Sequence, residues 1–201
     1  MMKNTRYVNI LRIICQSKCR KIMEIGTFDG RHAAEFIEAA KLYYSPKDIY
    51  YYGFDLFELL DDEKLKSEAS KRPSTMDAVR KRLSKTGAQI QLYQGDTKET
   101  LPRIKNDLGK LDFIFLDGGH SYETIISDWN IVKTLMDKKT TVIFDDFYSN
   151  YEPEISGLGC QDLIRNLDTN TYDIQILDPM NRYVKEWGIL KINLVKVTKK
   201  Y

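Results

Sequence analysis

Short apolar runs alternate along the chain with segments whose apolar residues recur every three or four positions. A run of four to eight apolar and β-branched residues is typical of a strand, and the three-to-four repeat is typical of an amphipathic helix. Strands that alternate with helices predict an α/β fold built on a parallel sheet. The seven runs with strand character lie at 21–24, 49–55, 89–96, 111–116, 140–144, 172–177 and 189–197.

The segment from Lys21 to Gly30 joins the first strand to a helix. Glu24 ends the strand, and Gly26 and Gly30 flank a tight turn that can approach a ligand closely, because glycine has no Cβ atom. Many strand-helix units carry such a turn. Here Phe28 stands where a nicotinamide-type motif needs glycine, and Glu24 would repel a pyrophosphate. The turn therefore predicts a site that favours a cationic ligand.

A second acid, Asp55, ends the next β-rich run, one strand-helix-strand unit after Glu24. A carboxylate at this position can accept hydrogen bonds from both hydroxyls of a ribose. Because parallel strands end at the same edge of a sheet, we expect the two acids to lie in one site.

From Lys21 to Asp146 the sequence resembles the class I S-adenosylmethionine-dependent methyltransferases, and its first motif is Glu-Ile-Gly-Thr-Phe-Asp-Gly. The resemblance implies a Rossmann-like three-layer α/β sandwich with a mostly parallel seven-stranded sheet and a C-terminal antiparallel strand. It also implies S-adenosylmethionine as cofactor, with Asp96 at the adenine amino group, although Asp96 has the ordinary alternative of capping a helix. The cofactor-binding residues expected from the resemblance are Glu24, Gly26, Thr27, Phe28, Gly30, Asp55, Leu56, Asp96, Thr97 and Asp117.

Three more acids end buried strands. Asp117 follows the apolar run 111–116, and Asp145 and Asp146 follow the run 140–144. Clustered carboxylates need a compensating cation, and an all-oxygen set suits Mg²⁺ or Mn²⁺. Neighbouring residues of a strand point to opposite faces, so Asp145 and Asp146 can share an ion only if the strand ends between them. One of the pair could instead be a cap or loop acid.

His120 lies three residues after Asp117, with two glycines between them. An imidazole exchanges protons near neutral pH, so His120 could act as a general base, although a histidine before a helix often only orders a loop. Asp117-Gly118-Gly119-His120, with the later Asp145-Asp146, resembles the metal-dependent O-methyltransferases that act on sugar hydroxyls of macrolide-type natural products. That resemblance implies that Asp117, Asp145 and Asp146 bind the metal, and that His120 and Asp117 are catalytic.

The bulk properties indicate one globular domain over residues 1–201, with a short N-terminal helix within residues 1–20. The N-terminal segment leaves little room for a cap over the substrate, so we expect that site to be open or to be closed by another subunit, as in a homodimer. A net charge of +2 gives no overall footprint for nucleic acid or a membrane. Without a signal peptide or a long apolar run, the chain is expected to be cytoplasmic. Its cysteines, Cys15, Cys19 and Cys160, are expected to be reduced structural thiols.

Residues 57–88 form a basic insertion whose apolar positions have helical spacing. It predicts either an amphipathic helix with a solvated basic face or a mobile flap for an acidic or nucleic-acid substrate. The leading hypothesis is divalent-metal-assisted O-methylation of a hydroxylated small molecule, such as a sugar or polyol. The alternatives are a nucleic-acid methyltransferase and a non-catalytic S-adenosylmethionine-binding partner subunit; aminopropyl transfer also occurs on this architecture.

Overall fold

The computed structural model of the protein describes residues 5–68, 71–150 and 152–200. Its centre is a seven-stranded sheet with the strand order β3-β2-β1-β4-β5-β7-β6. The strands are β1 (Lys21–Ile25), β2 (Tyr50–Asp55), β3 (Gln89–Gln94), β4 (Phe113–Leu116), β5 (Thr141–Tyr148), β6 (Tyr172–Lys185) and β7 (Gly188–Lys199).

The first five strands are parallel to one another, and β1 lies between β2 and β4. Met23 of β1, for example, stands opposite Tyr52 on one side and Ile114 on the other. Strand β7 runs antiparallel to both β5 and β6. This topology confirms the predicted Rossmann-like fold, and it brings the carboxyl ends of β1 to β5 to one edge of the sheet.

Helices cover both faces of the sheet, which makes three layers. A short 3₁₀ turn, Thr5–Tyr7, precedes the first helix, which lies within the N-terminal segment where a helix was predicted. The α-helices are α1 (Val8–Gln16), α2 (Arg31–Ala40), α3 (Asp62–Glu68), α4 (Met76–Leu83), α5 (Thr97–Leu108), α6 (Tyr122–Leu135) and α7 (Gln161–Arg165).

Each face of the sheet has its own apolar core. On one face, α1, α2 and α4 pack over the sheet, and Phe36 meets Phe113 and Phe115 edge to face at centroid distances of 5.8 Å. On the other face, α5, α6 and α7 pack around Trp129 and Phe144. Because alternate strand residues feed opposite cores, the central strands are buried on both sides, as their apolar runs predict.

The basic segment folds as two helices with different positions. In α4, Val79 and Leu83 are buried against the first core, whereas Arg80, Lys81 and Arg82 are exposed. The amphipathic-helix interpretation is therefore confirmed for α4. Helix α3 lies instead at the edge of the sheet where the strand-end acids meet, as its contacts below show.

Two other sequence predictions can be compared with the structure. All three cysteines are free, and Cys19 and Cys160 are buried. None of the helices in the described part of the chain is long and apolar enough to cross a membrane.

Candidate active site

The turn between β1 and α2 is held close to the end of β4. Gly26 has φ +91°, and a Cβ atom built on it would lie 1.9 Å from the Asp117 carbonyl oxygen. Only glycine fits there. Gly30 (φ +73°) precedes the first residue of α2 and Phe28 has φ +54°, so the turn has the predicted tight geometry. Thr27 is buried and its hydroxyl donates to the Phe54 carbonyl oxygen, so its side chain supports the turn from inside.

Glu24 is buried at the end of β1. The Tyr51 hydroxyl donates a hydrogen bond to its carboxylate, and no residue that the structure describes forms an ion pair with it. Burial raises the pKa of Glu24 to about 8, although the hydrogen bond from Tyr51 partly opposes the rise. A buried acid without a cationic partner is suited to bind a cationic ligand group.

Asp55 ends β2 with both carboxylate oxygens bonded to the backbone. Its Oδ2 accepts from the Phe28 N–H at 2.7 Å and its Oδ1 from the Phe57 N–H at 2.9 Å. Leu56 lies between Asp55 and the 3₁₀ turn that begins at Phe57. Burial raises the pKa of Asp55 and these backbone hydrogen bonds lower it. A carboxylate has about four lone-pair sites, so Asp55 retains capacity for ribose hydroxyls.

Asp96 follows β3 and caps α5, whose first residue is Thr97. Its Oδ1 accepts from the Lys98 N–H at 3.0 Å, which confirms the capping role. Its Oδ2 accepts from Lys64 Nζ of α3 at 2.7 Å. Although burial raises the pKa of Asp96, the Lys64 and Lys98 contacts outweigh it and lower the pKa overall. A ligand amino group at Asp96 would compete with Lys64.

Helix α3 spans the edge of the sheet from Asp96 to the start of α6. At its far end, the Glu68 carboxylate accepts from the Ser121 N–H (3.1 Å), the Ser121 hydroxyl (2.7 Å) and the Thr124 hydroxyl (3.0 Å). The Glu68 carbonyl oxygen also accepts from the His120 N–H at 3.1 Å. Neither Lys64 nor Glu68 was predicted as part of the site, because a charged helix looks solvated in sequence.

The acids that end β4 and β5 come together as predicted. Burial and the neighbouring carboxylates of Asp145 and Asp146 raise the pKa of Asp117 well above its ordinary value. Burial, again with Asp145, raises the pKa of Asp146 to about 6, although His120 and Arg6 oppose the rise. These mutual effects indicate that the three carboxylates share one electrostatic environment, which we call the acid cluster (Asp117, Asp145 and Asp146).

Asp145 and Asp146 lie at a bulge of β5 and have different partners. The strand does not end between them; a β-bulge between Phe144 and Phe147 interrupts the register, and Asp146 takes φ +54°. Asp145 Oδ2 accepts from Arg6 Nη2 at 2.8 Å and from the Tyr7 hydroxyl at 2.6 Å. Asp146 Oδ2 lies 3.3 Å from His120 Nε2.

The structure does not support the predicted metal site of Asp117, Asp145 and Asp146. No group of three His, Cys, Asp or Glu side chains within residues 5–68, 71–150 and 152–200 is placed to hold a metal ion. The physical reason is that Asp145 already has a permanent cation and Asp146 faces His120. The acids present therefore do not fit a three-carboxylate ion site.

His120, the predicted base, lies at the same edge as the acid cluster. Its side chain is one quarter exposed, it lies beside Asp146, and its backbone bonds to Glu68 and Gly159 fix the loop. The other histidine, His32, is the second residue of α2.

Three further residues at this edge were not predicted from the sequence as part of the site. Arg6 and Tyr7 come from the N-terminal segment, which reaches the acid cluster despite its shortness. Asp128 of α6 is buried, and burial raises its pKa to about 7. Asp128 lies at a core-facing position of the amphipathic helix α6. An acid at such a position is the sequence feature that could have indicated a buried site residue.

The comparison with known families settles the class of protein. A family model described as a methyltransferase domain matches residues 23–147, which include every strand-end acid described above. The chain belongs to this methyltransferase family. No curated protein matches the methyltransferase's sequence.

Solved structures resemble the methyltransferase in fold at low sequence identity. A putative caffeoyl-CoA O-methyltransferase from Staphylococcus aureus has a TM-score of 0.67 at 14% identity, covering 100% of this chain and 85% of that one. The O-methyltransferase TomG from Streptomyces achromogenes, in complex with SAM, has a TM-score of 0.63 at 15% identity, covering 94% and 78%. An rRNA methylase from Streptococcus thermophilus has a TM-score of 0.64 at 12% identity, covering 100% of both chains.

Proposed function

We propose that this methyltransferase transfers a methyl group from S-adenosylmethionine to a hydroxyl group of a small molecule, such as a sugar or polyol. The observation that carries the proposal is His120, whose Nε2 lies 3.3 Å from Asp146 Oδ2 at the edge where β1 and β2 also end. O-methyltransferases among the structural neighbours support it.

The acids at this edge fit the cofactor by their chemistry. S-adenosylmethionine, when bound, supplies an electrophilic methyl group on sulfur. Glu24, which is buried, and Asp117, which is partly buried, are carboxylates suited to its ammonium group, Asp55 to the ribose hydroxyls, and Asp96 to the adenine amino group. In this arrangement Lys64 leaves Asp96 when the adenine arrives, so α3 adjusts on binding.

His120 would remove the proton from the acceptor hydroxyl. With the hydrogen on Nε2, Asp146 accepts it and holds the ring, while Nδ1 keeps a lone pair for the proton. As the oxygen attacks the methyl group, the new carbon-oxygen bond forms and the carbon-sulfur bond breaks. The proton then resides on His120. No step is assigned to Mg²⁺ or Mn²⁺, because the acid cluster does not fit an ion.

A methyl-transfer assay with labelled S-adenosylmethionine and a panel of hydroxylated acceptors tests this proposal. We expect His120→Ala to lower kcat about 100-fold or more on an accepted substrate, the usual contribution of a general base. Glu123→Gln is the matched control, since Glu123 is exposed on the first turn of α6. An unchanged kcat in His120→Ala would remove the proposed base.

Nucleic-acid methylation is the second candidate. It is favoured by the exposed Arg80, Lys81 and Arg82 of α4, and by the structural similarity to an rRNA methylase that covers the full length of both chains. A gel shift whose affinity falls steeply with salt would support it, because phosphate contacts release counterions. The non-catalytic partner subunit, the homodimer and the cytoplasmic location stay predictions. Retention of His120 and Asp146 weighs against a subunit that only binds cofactor.

A further inference from the structure

We propose that Arg6 is the permanent counter-ion of the acid cluster, and that it excludes a divalent ion from this site. The inference rests on the proposed function for the partners that it gives to Asp117 and Asp146, whereas the pairing of Arg6 with Asp145 is independent of it. Its test measures ion binding rather than methyl transfer, so the two proposals fail separately.

The contact between Arg6 and Asp145 is buried and has several supports. The two side chains are 6% and 1% exposed, and Nη2 lies 2.8 Å from Oδ2. Tyr7 is bonded to both partners: its hydroxyl donates to Asp145 at 2.6 Å and accepts from Arg6 Nη2 at 3.1 Å. A buried pair of this kind has a defined geometry, unlike a surface ion pair.

The N-terminal segment is also anchored away from the acid cluster. Arg6 Nη1 donates to the Tyr183 hydroxyl at 3.2 Å, and the Arg6 N–H donates to Asn181 Oδ1 at 3.4 Å, both on β6. Asn9 of α1 donates to the Asp178 carbonyl oxygen at 2.7 Å. These hydrogen bonds to β6 therefore fix the position of Arg6 beside Asp145.

A charge count explains why no divalent ion is needed. Asp145 is neutralised by Arg6, whose guanidinium does not lose its proton in proteins. Asp146 faces His120, which becomes cationic when it takes the acceptor proton. Asp117 is left for the ammonium group of the cofactor. Each acid thus has one monovalent partner, and a divalent ion would have to displace Arg6 from a buried, multiply bonded position.

Titration with Mn²⁺ alone, followed by calorimetry or electron paramagnetic resonance, tests the inference. The wild-type protein is expected to show no Mn²⁺ binding below about 1 mM. Arg6→Met frees Asp145 and should bind Mn²⁺ at least about tenfold more tightly than wild type. Arg6→Met combined with Asp145→Asn should lose that gain. Arg12→Met, an exposed arginine of α1, is the matched control and should behave as wild type.

Two results would overturn the inference. One is micromolar Mn²⁺ binding by the wild type that Asp145→Asn abolishes, because the ion would then hold the acid cluster itself. The other is an Arg6→Met protein that folds and gains no Mn²⁺ binding. If Arg6→Met does not fold, the wild-type and Asp145→Asn titrations still decide the matter, and the double variant, which buries no unpaired charge, supplies the stability comparison.

Discussion

Six acidic residues lie at or just beyond the ends of the five parallel strands, two of them on β5, and the partner of each determines what it can do. Asp145 is paired with Arg6, Asp146 with His120, and Asp96 with Lys64, whereas Glu24 has only a tyrosine hydroxyl. The acids themselves were predictable, because each stands where an apolar run stops. Their partners were not, since Arg6 and Asp145 are far apart in sequence and only the folded chain brings them together.

Glu24 makes the stability of the cofactor-free protein depend on pH. Its pKa is about 8 in the folded chain against an ordinary 4.5, mainly because it is buried. Because the folded chain holds this proton more tightly than the unfolded chain, protonated Glu24 contributes to the free energy of unfolding. That contribution is complete below pH 4.5 and is lost as the pH rises through 8. We expect Glu24→Gln to gain at least about 3 °C in Tm relative to wild type between pH 5 and pH 8, the effect of about 1 kcal/mol in a chain of this size.

Differential scanning calorimetry across this pH range measures the effect. Glu63→Gln, an exposed residue of α3, is the control and should follow the wild-type curve. Parallel Tm curves for Glu24→Gln and wild type would mean that Glu24 is not buried as a carboxyl with a raised pKa.

At the scale of elements, short segments rather than long ones shape the site. The periodicity of α2 and α6 and the apolar runs of β4 and β5 were predictable from sequence. The bulge of β5 and the position of α3 between Asp96 and Ser121 were not predictable, because each depends on contacts with other elements. In a regular strand Phe144 and Phe147 would face opposite sides of the sheet, yet the extra residue between them lets both pack in the same core.

Helix α3 depends on Glu68 for its attachment to α6. Glu68→Ala removes three hydrogen bonds to the first turn of α6, and we expect a loss of about 1–2 kcal/mol, as for the loss of a helix cap. Hydrogen exchange should become faster in residues 62–68 and 119–124. Glu63→Ala on the same helix is the control. Unchanged exchange in Glu68→Ala would show that α3 is held by other contacts.

At the scale of the whole molecule, the apolar runs predict a parallel sheet with its central strands buried on both faces, whereas the strand order, with β1 between β2 and β4, comes from the structure. The pattern works because parallel strands are buried on both faces and therefore appear as continuous apolar runs. It could not show that the N-terminal segment docks on β6, since Arg6 meets Asp145 and Asn181 only in the folded chain. The pairing of Arg6 with Asp145 is the reason that the described residues do not support the predicted metal site.

Calorimetric titration with S-adenosylhomocysteine tests the central claim, a cofactor site at the carboxyl edge of the sheet, most directly. We predict a micromolar or tighter Kd, corresponding to about 8 kcal/mol or more, that EDTA leaves unchanged. Asp55→Ala should weaken binding at least about tenfold, with the exposed Asp107→Ala as control. An absence of binding by the wild type at about 1 mM ligand would contradict the cofactor site and leave only the fold.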